Sequence, residues 1–227
     1  EDAVALIESD ADIFNIEGLE GLRQVMEAGD GQVSSGIITA AQYGLLGNGT
    51  DETRKIATMV NAIPTNGGKL VFDKGQRIKI DQTSIINLVG KNNVTIEGLN
   101  AYGLSKAVFQ IRGGSKSITF RDCRFEGLGQ IIYLLDCEQI LIDNCTFVNT
   151  GYGIIQRYGD VSNNVKVVNC TADHVVNDFV ECNCTATARS KNWIIANNQF
   201  LGCQNFPTYA TESRFVGITA VDNVLIH

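Results

Sequence analysis

Apolar and polar residues alternate in short runs through the second half of this chain, and one run keeps returning. It reads Val94-Thr-Ile96-Glu-Gly98, then Ile118-Thr-Phe120-Arg-Asp-Cys123-Arg-Phe125, then Ile140-Leu-Ile142-Asp-Asn-Cys145-Thr-Phe147. It continues as Val165-Lys-Val167-Val-Asn-Cys170-Thr-Ala172 and Trp193-Ile-Ile195-Ala-Asn-Asn198-Gln-Phe200, and Val224-Leu-Ile226 opens a further copy. Successive copies begin 24, 22, 25, 28 and 31 residues apart. Alternation with a period of two predicts a strand. A strand-and-turn unit repeating at this length predicts a solenoid in which each copy is one coil.

Second apolar runs lie between the copies: 108–111, 131–135, 153–156, 179–182 and 215–218. Each coil therefore contributes at least two strands, and like strands of successive coils pair in parallel. Asp122, Asn144, Asn169 and Asn197 recur at the bend after the first strand. Asn and Asp tolerate the left-handed backbone of a bend, and stacked amides can hydrogen-bond along the axis. Phe125, Phe147 and Phe200 are expected to form an interior aromatic column, and Cys123, Cys145 and Cys170 a stack of small buried side chains. The expected fold class is all-β, a right-handed parallel β-helix over residues 85–227.

The pattern changes upstream. Ile56, Met59, Val60 and Ile63 make one helical stripe, capped by Thr50 or Asp51 and stopped by Pro64 and Gly67-Gly68. Residues 69–72 and 77–80 alternate about the turn Asp73-Lys-Gly75, which predicts a hairpin. Residues 41–84 thus read as an N-terminal cap covering the first coil. Residues 1–40 read as an acidic neck in which Asn15 starts a short helix with Leu19, Leu22 and Met26 on its inner face. Such a helix is too short to stand alone in water, so it needs a partner, such as symmetry mates.

Composition narrows the choices. At 227 residues and 44% hydrophobic content the chain can bury a sizeable core, and no run approaches a membrane span. Of the net charge of −7, residues 1–36 carry nine acids against Arg23 alone, so the rest of the chain is almost neutral. A near-neutral solenoid is a poor partner for nucleic acid. Seven cysteines with no CxxC and only two His argue against zinc and for reduced core thiols, with Cys182 and Cys184 on one strand face. Three of the five Asn-x-Ser/Thr sites (Asn48, Asn93, Asn144, Asn169, Asn183) fall inside the repeat, whose own grammar explains them.

Saccharide hydrolysis usually needs two carboxyl groups flanking the bond. The densest polar group is Asp173-His174, Asn177-Asp178 and Glu181, so Asp178, Glu181 and Asp173 are the candidate catalytic acids, with Asp136, Asp143 and Glu126 in earlier coils. Tyr133, Tyr158, Arg157 and Trp193 are candidate substrate contacts, the rings as stacking surfaces; Tyr152 is another ring of this kind. The plain alternative is that these acids solvate the surface or pair with Arg121, Arg157 and Arg189. No phosphate-binding, dinucleotide or serine-nucleophile motif occurs, no acidic cluster forms a calcium site, and no cofactor or metal is expected.

The stretch Tyr43-Gly44, Gly47-Asn48-Gly49-Thr50-Asp51-Glu52-Thr53, Ile56, Ile63, Gly67-Gly68-Lys69-Leu70-Val71-Phe72, Gly75 and Ile78-Lys79-Ile80 resembles the opening of the pectate-lyase-like superfamily. Glu52 stands where that pattern has a second Asp, and Asp73 where it has Pro. The match covers about 40 residues, and the superfamily includes lyases, hydrolases, epimerases and non-catalytic spikes. Among its members the likeness is to phage tailspikes and capsule depolymerases. It implies a homotrimer in the virion tail, attached to a tail or baseplate protein through residues 1–40. It also implies host capsule or O-antigen polysaccharide as the ligand to be bound and cleaved. A secreted monomeric lyase or hydrolase and a non-catalytic spike segment are the other expectations. The chain opens at Glu1 without a signal-like segment and stops partway through a coil, as expected of the N-terminal part of a longer protein whose groove extends past residue 227.

Overall fold

A computed structural model describes residues 36–81, 85–104, 107–202 and 215–226. The expected neck helix at Leu19–Met26 lies outside the described residues. The described chain begins with β1 (Ile37–Thr39), a 3-10 turn at Ala41–Tyr43 and α1 (Thr53–Ala62). Coils of three strands follow. They are β2 (Gly68–Val71), β3 (Arg77–Lys79) and β4 (Ile86–Val89), then β5 (Asn92–Glu97), β6 (Asn100–Tyr102) and β7 (Ala107–Arg112). Next come β8 (Lys116–Arg121), β9 (Arg124–Glu126) and β10 (Gln130–Leu135), and β11 (Cys137–Asp143), β12 (Thr146–Val148) and β13 (Tyr152–Gln156). The last are β14 (Ser162–Val168), β15 (Thr171–Asp173) and β16 (Val180–Asn183), then β17 (Ser190–Ala196), β18 (Gln199–Phe200), β19 (Val216–Thr219) and β20 (Val221–Ile226).

Every pairing is parallel, and each strand pairs one coil away. Sheet A is β1-β2-β5-β8-β11-β14-β17-β20, sheet B is β3-β6-β9-β12-β15-β18 and sheet C is β4-β7-β10-β13-β16-β19. The recurring phrase stacks on itself in register, Val94 on Ile118, Ile140, Val165, Trp193 and Val224. The expected hairpin is absent. β2 pairs with β1 and β5, and β3 with β6, so residues 68–79 form the first two sides of a coil. Leu70 and Ile78 both point into the core at 0% exposure, and Phe72 N–H reaches up to Glu97 O. The solenoid thus includes Ile37–Thr39 and does not start at residue 85. No helix of the described residues is long and apolar enough to cross a membrane.

The corners behave as the sequence predicts. Asp122, Asn144, Asn169 and Asn197 adopt φ of 54°, 53°, 57° and 57°. Asn144 Nδ2 donates to Asp122 Oδ1 at 2.6 Å, whereas Asn169 Nδ2 reaches Asp143 Oδ1 at 2.9 Å. A second left-handed column, Asn164, Asn192 and Asn223, forms an amide ladder of 2.9 and 3.0 Å within sheet A.

The aromatic column departs from expectation. Phe125 and Phe147 stack at 5.4 Å, but the next position is Ala172. Phe179, from the corner between sheets B and C, fills the space 5.2 Å from Phe147 and hands on to Phe215 at 5.5 Å, which touches Phe200.

The six described cysteines are buried and free. Cys123, Cys145 and Cys170 each donate to the carbonyl two residues before, at 3.3, 3.4 and 3.2 Å. Burial pushes Cys137 up to about 11, and the neighbouring thiols together with burial hold Cys145 and Cys170 far above the ordinary value. A thiol that stays protonated is a poor nucleophile. Iodoacetamide should therefore leave Cys137, Cys145 and Cys170 unlabelled in the native protein and label them only in denaturant, as read by peptide mass spectrometry. Rapid native labelling of Cys145 would mean that the interior is open.

At the N-terminal end α1 packs on β4 with Ile56, Met59 and Val60 fully buried. The N-cap is Glu52 rather than the expected Thr50 or Asp51; Asp51, one residue before it, accepts at Oδ1 from the Thr53 N–H at 3.1 Å and hydroxyl at 2.5 Å. Glu52, only 1% exposed, accepts from the Leu46 and Gly47 N–H groups at 2.8 and 2.9 Å. Lys91 Nζ donates to Ile63 O at 2.8 Å just past the other end of the helix, where orphan carbonyls favour a cation.

Candidate functional site

Two places on the surface gather polar side chains. The first is a groove of about 340 Å³ at the corner between sheets A and B, lined by Lys74, Asn100, Asp122, Arg124 and Thr146. It opens where Gly98 replaces the Asp or Asn of the other corners. Its charges already pair with one another or with neighbours: Lys74 with Asp122 at 3.4 Å and Arg124 with Glu126 at 3.3 Å.

The second lies on sheet C and leaves acceptors unspent. Inward residues Ile132, Leu134, Ile154, Val180 and Cys182 are 0% exposed, so alternation sends Tyr133 of β10 and Glu181 of β16 outward. They stand in one register row with Ile155 of β13 between them. After β13 the link to sheet A lengthens to residues 157–161, whereas the coil before crosses with Asp136 alone. This turn folds back over the coils. Arg157 N–H donates to Leu134 O at 3.1 Å, Gly159 N–H to Asn183 O at 3.2 Å and Asp160 N–H to Arg157 O at 3.3 Å.

Arg157 and Asp160 thereby join Tyr133 and Glu181. Arg157 Nε lies 3.9 Å from Asp160 Oδ2, too long for a hydrogen bond. Asn183 Nδ2 donates to Glu181 Oε1. Asp160 Oδ2 and Glu181 Oε2 are buried and have no hydrogen-bond partner. Burial pushes the Tyr133 phenol above its ordinary value; Arg157 pulls it down, and Asp160 and Glu181 push it further up. Arg157, Asp160 and Glu181 thus all act on the Tyr133 phenol. A buried carboxylate oxygen without a donor is costly and calls for a water or a ligand group. Two such oxygens, a guanidinium and a phenol make a hydrogen-bonding set suited to a polyhydroxylated ligand, and two carboxyls are the minimum for glycoside hydrolysis. Tyr158, 74% exposed at the tip of the turn, offers a free ring face.

The other expected site residues are dispersed. Trp193 is corrected outright: it is 0% exposed, and its Nε1–H donates to Ser162 O at 2.8 Å inside the core. It occupies the first apolar position of the phrase, against Val165, and Val94, Ile118, Ile140 and Val165 at that position are buried as well. Asp173 sits on sheet B, its Oδ1 2.5 Å from His174 Nδ1. Asp178 is buried at 7% in the turn before β16, not on an open face. A corner therefore separates Asp173 from Glu181, and the expected acid trio does not share one face. Asp143 pairs with Arg121 and Glu126 with Arg77 and Arg124, leaving both spoken for. Asp160, the acid that does join Glu181, was missed; its one signal is the longer spacing of the copies after residue 140. Among the described residues no group of three or more His, Cys, Asp and Glu is placed to hold a metal ion.

Residues 74–225, most of the chain and nearly all of its coils, match the family model described as a right handed beta helix region. The chain belongs to the right-handed β-helix family. No match was found among curated proteins. Among solved structures this β-helix is similar to ORF18 of Geobacillus virus E2, with a TM-score of 0.55 and 15% identity over 83% of this chain and 48% of that one. The β-helix spans about half the length of that viral chain, and the likeness is one of fold.

Proposed function

We propose that this β-helix is part of a phage tailspike-like virion protein that binds host surface polysaccharide on sheet C and cleaves it there. The single observation that carries the reading is the pair of buried oxygens without a hydrogen bond, Asp160 Oδ2 and Glu181 Oε2, beside Tyr133 and Arg157. Membership of the right-handed β-helix family and the viral source of a protein of similar fold are consistent with it. Asp160 and Glu181 act as the carboxyl pair, Arg157 and Tyr133 hold the sugar hydroxyls, and the Tyr158 ring stacks on a sugar face. Residues 1–40 attach to a tail or baseplate protein, and the protein works as a homotrimer.

The test is incubation of the protein with purified capsular and O-antigen polysaccharides, reading reducing ends and product size. Oligosaccharides are expected from at least one of them. Glu181→Gln and Asp160→Asn should each lower the rate by about 10²-fold or more while leaving binding in place. Binding with no cleavage by the wild type would make it an adhesive spike segment, and no binding to any host polysaccharide would end the proposal.

A further inference from the structure

Sheet C points a column of apolar side chains inward, and one position breaks it. Leu88, Ile111 and Leu134 lead in register to Gln156, and Cys182 and Ile218 follow. Gln156 is 0% exposed. An amide buried among aliphatic neighbours is a local rule broken, and such breaks concentrate where a fold serves a function. Here every contact of the amide leads to the turn above or the strands beneath it.

Gln156 Nε2 donates to Asp160 O at 2.8 Å and lies 3.1 Å from Cys184 Sγ. Its Oε1 accepts from Ser190 Oγ at 2.9 Å, and Ser190 Oγ in turn accepts from Ser162 N–H at 2.9 Å. Ser162 O accepts from Trp193 Nε1, and Cys137 Sγ meets Ser162 Oγ at 3.4 Å. Gln156, Ser162 and Ser190 are all fully buried, so this is one satisfied polar network spanning three coils. Its only outward-reaching bond goes to the backbone of Asp160. The other amide ties of the turn are Arg157 to Leu134 at its start, at 3.1 Å, and the longer bonds of Gly159 to Asn183 at 3.2 Å and Asp160 to Arg157 at 3.3 Å.

We infer that Gln156 is a positioning residue for the sheet C site: it anchors the 157–161 turn from inside the solenoid and so fixes the Asp160 carboxylate beside Tyr133 and Glu181. The inference rests on the reading of sheet C as the functional site, but the anchoring itself does not need a substrate to be tested. A leucine at position 156 would restore the apolar column, and removing both partners of a buried hydrogen bond together is nearly neutral for stability. The double variant Gln156→Leu with Ser190→Ala therefore separates anchoring from folding.

Two readouts apply to the full chain. Native-state hydrogen exchange at Gly159 and Asp160 should speed up about tenfold or more as the turn comes loose. The Tyr133 phenol, followed by NMR with labelled tyrosine, should titrate differently from the wild type, because Arg157 and Asp160 of the turn both act on it. The melting temperature should fall modestly but the protein should stay folded, because the Ser162 N–H loses Ser190 Oγ as its acceptor while the apolar column is restored. If the double variant melts early, Ser190→Ala alone, which removes the donor to Oε1 and the acceptor of the Ser162 N–H but keeps the Gln156 bond to Asp160 O, should show the same two changes in smaller measure. Unchanged exchange together with an unchanged Tyr133 titration would overturn the inference. Both readouts remain valid if the protein cleaves no polysaccharide, so failure of the anchoring and failure of the proposed function are told apart. Where cleavage is found, the double variant should lower kcat with KM little altered, since the groups that contact the sugar are still present.

Discussion

Phe147→Ala should destabilise the β-helix by about 3–5 kcal/mol, measured as a shift in the denaturant midpoint with the slope unchanged. Phe147 is 0% exposed, stacked on Phe125 at 5.4 Å and met edge-on by Phe179 at 5.2 Å. The coil that follows offers only Ala172 at the matching position. A cavity is cheap when its walls can collapse, and here they cannot. Thr146 to Val148 are held by parallel ladders to β9 on one side and β15 on the other, so neither neighbour can slide in without breaking register. A loss below about 1 kcal/mol would show that the coils close up, and that the ladders are softer than argued.

The second large effect is at the N-terminal end of the solenoid. Glu52→Ala should cost about 1–3 kcal/mol, because the part-buried Leu46 and Gly47 N–H groups lose the charged acceptor that holds their loop to the helix start. The pH dependence follows from the same contacts. Burial pushes the Glu52 carboxyl up, but the Leu46 and Gly47 N–H groups and Lys55 outweigh it and hold it below its ordinary value. A carboxyl depressed in the folded state contributes stability that is present above its ordinary value and lost as pH falls through the folded one. The wild type should therefore lose melting temperature on acidification through and below the ordinary carboxylate range. Glu52→Gln should be less stable near neutrality and flatter with pH in that window. Parallel curves for the two proteins would rule out Glu52 as the source. With the cap loosened, Ile56, Met59 and Val60 no longer shield β4, so the variant should also bind a hydrophobic dye.

Much of this was legible from residue order alone. A phrase that repeats with Asn or Asp at a constant place predicts both the strand and its bend, and sheet A and its left-handed corners have that form. What alternation does not carry is the identity of a strand's partner. Residues 69–72 and 77–80 read equally well as a hairpin or as two sides of a coil, and only pairing with β5 and β6 decides. Trp193 was misread because its residue type pointed to a sugar platform, while its place in the phrase pointed inward; place won. Tyr133, Arg157 and Glu181 come together as a consequence of coil stacking, which a linear reading reaches only approximately. Asp173 and Asp178 are close to Glu181 in sequence, yet a corner intervenes. Asp160 lies in a turn outside the repeat and Gln156 is a polar side chain at an otherwise apolar repeat position, so the recurring phrase marks neither.

The corner between sheets A and B has one more consequence. From β5 onward it is always two residues, as in Asp122-Cys123, Asn144-Cys145 and Asn169-Cys170, while the other two corners range from one residue to fifteen. The two-residue joint works like a fixed gear tooth, advancing every coil by the same step however long the remainder of the circuit becomes. Length can then be added at residues 157–161, 174–179 or 184–189 without moving a single side chain of sheets A and B out of phase. The protein separates the part that keeps time from the parts free to vary, so new surface chemistry can be acquired at two edges of the rod while the third preserves its pitch.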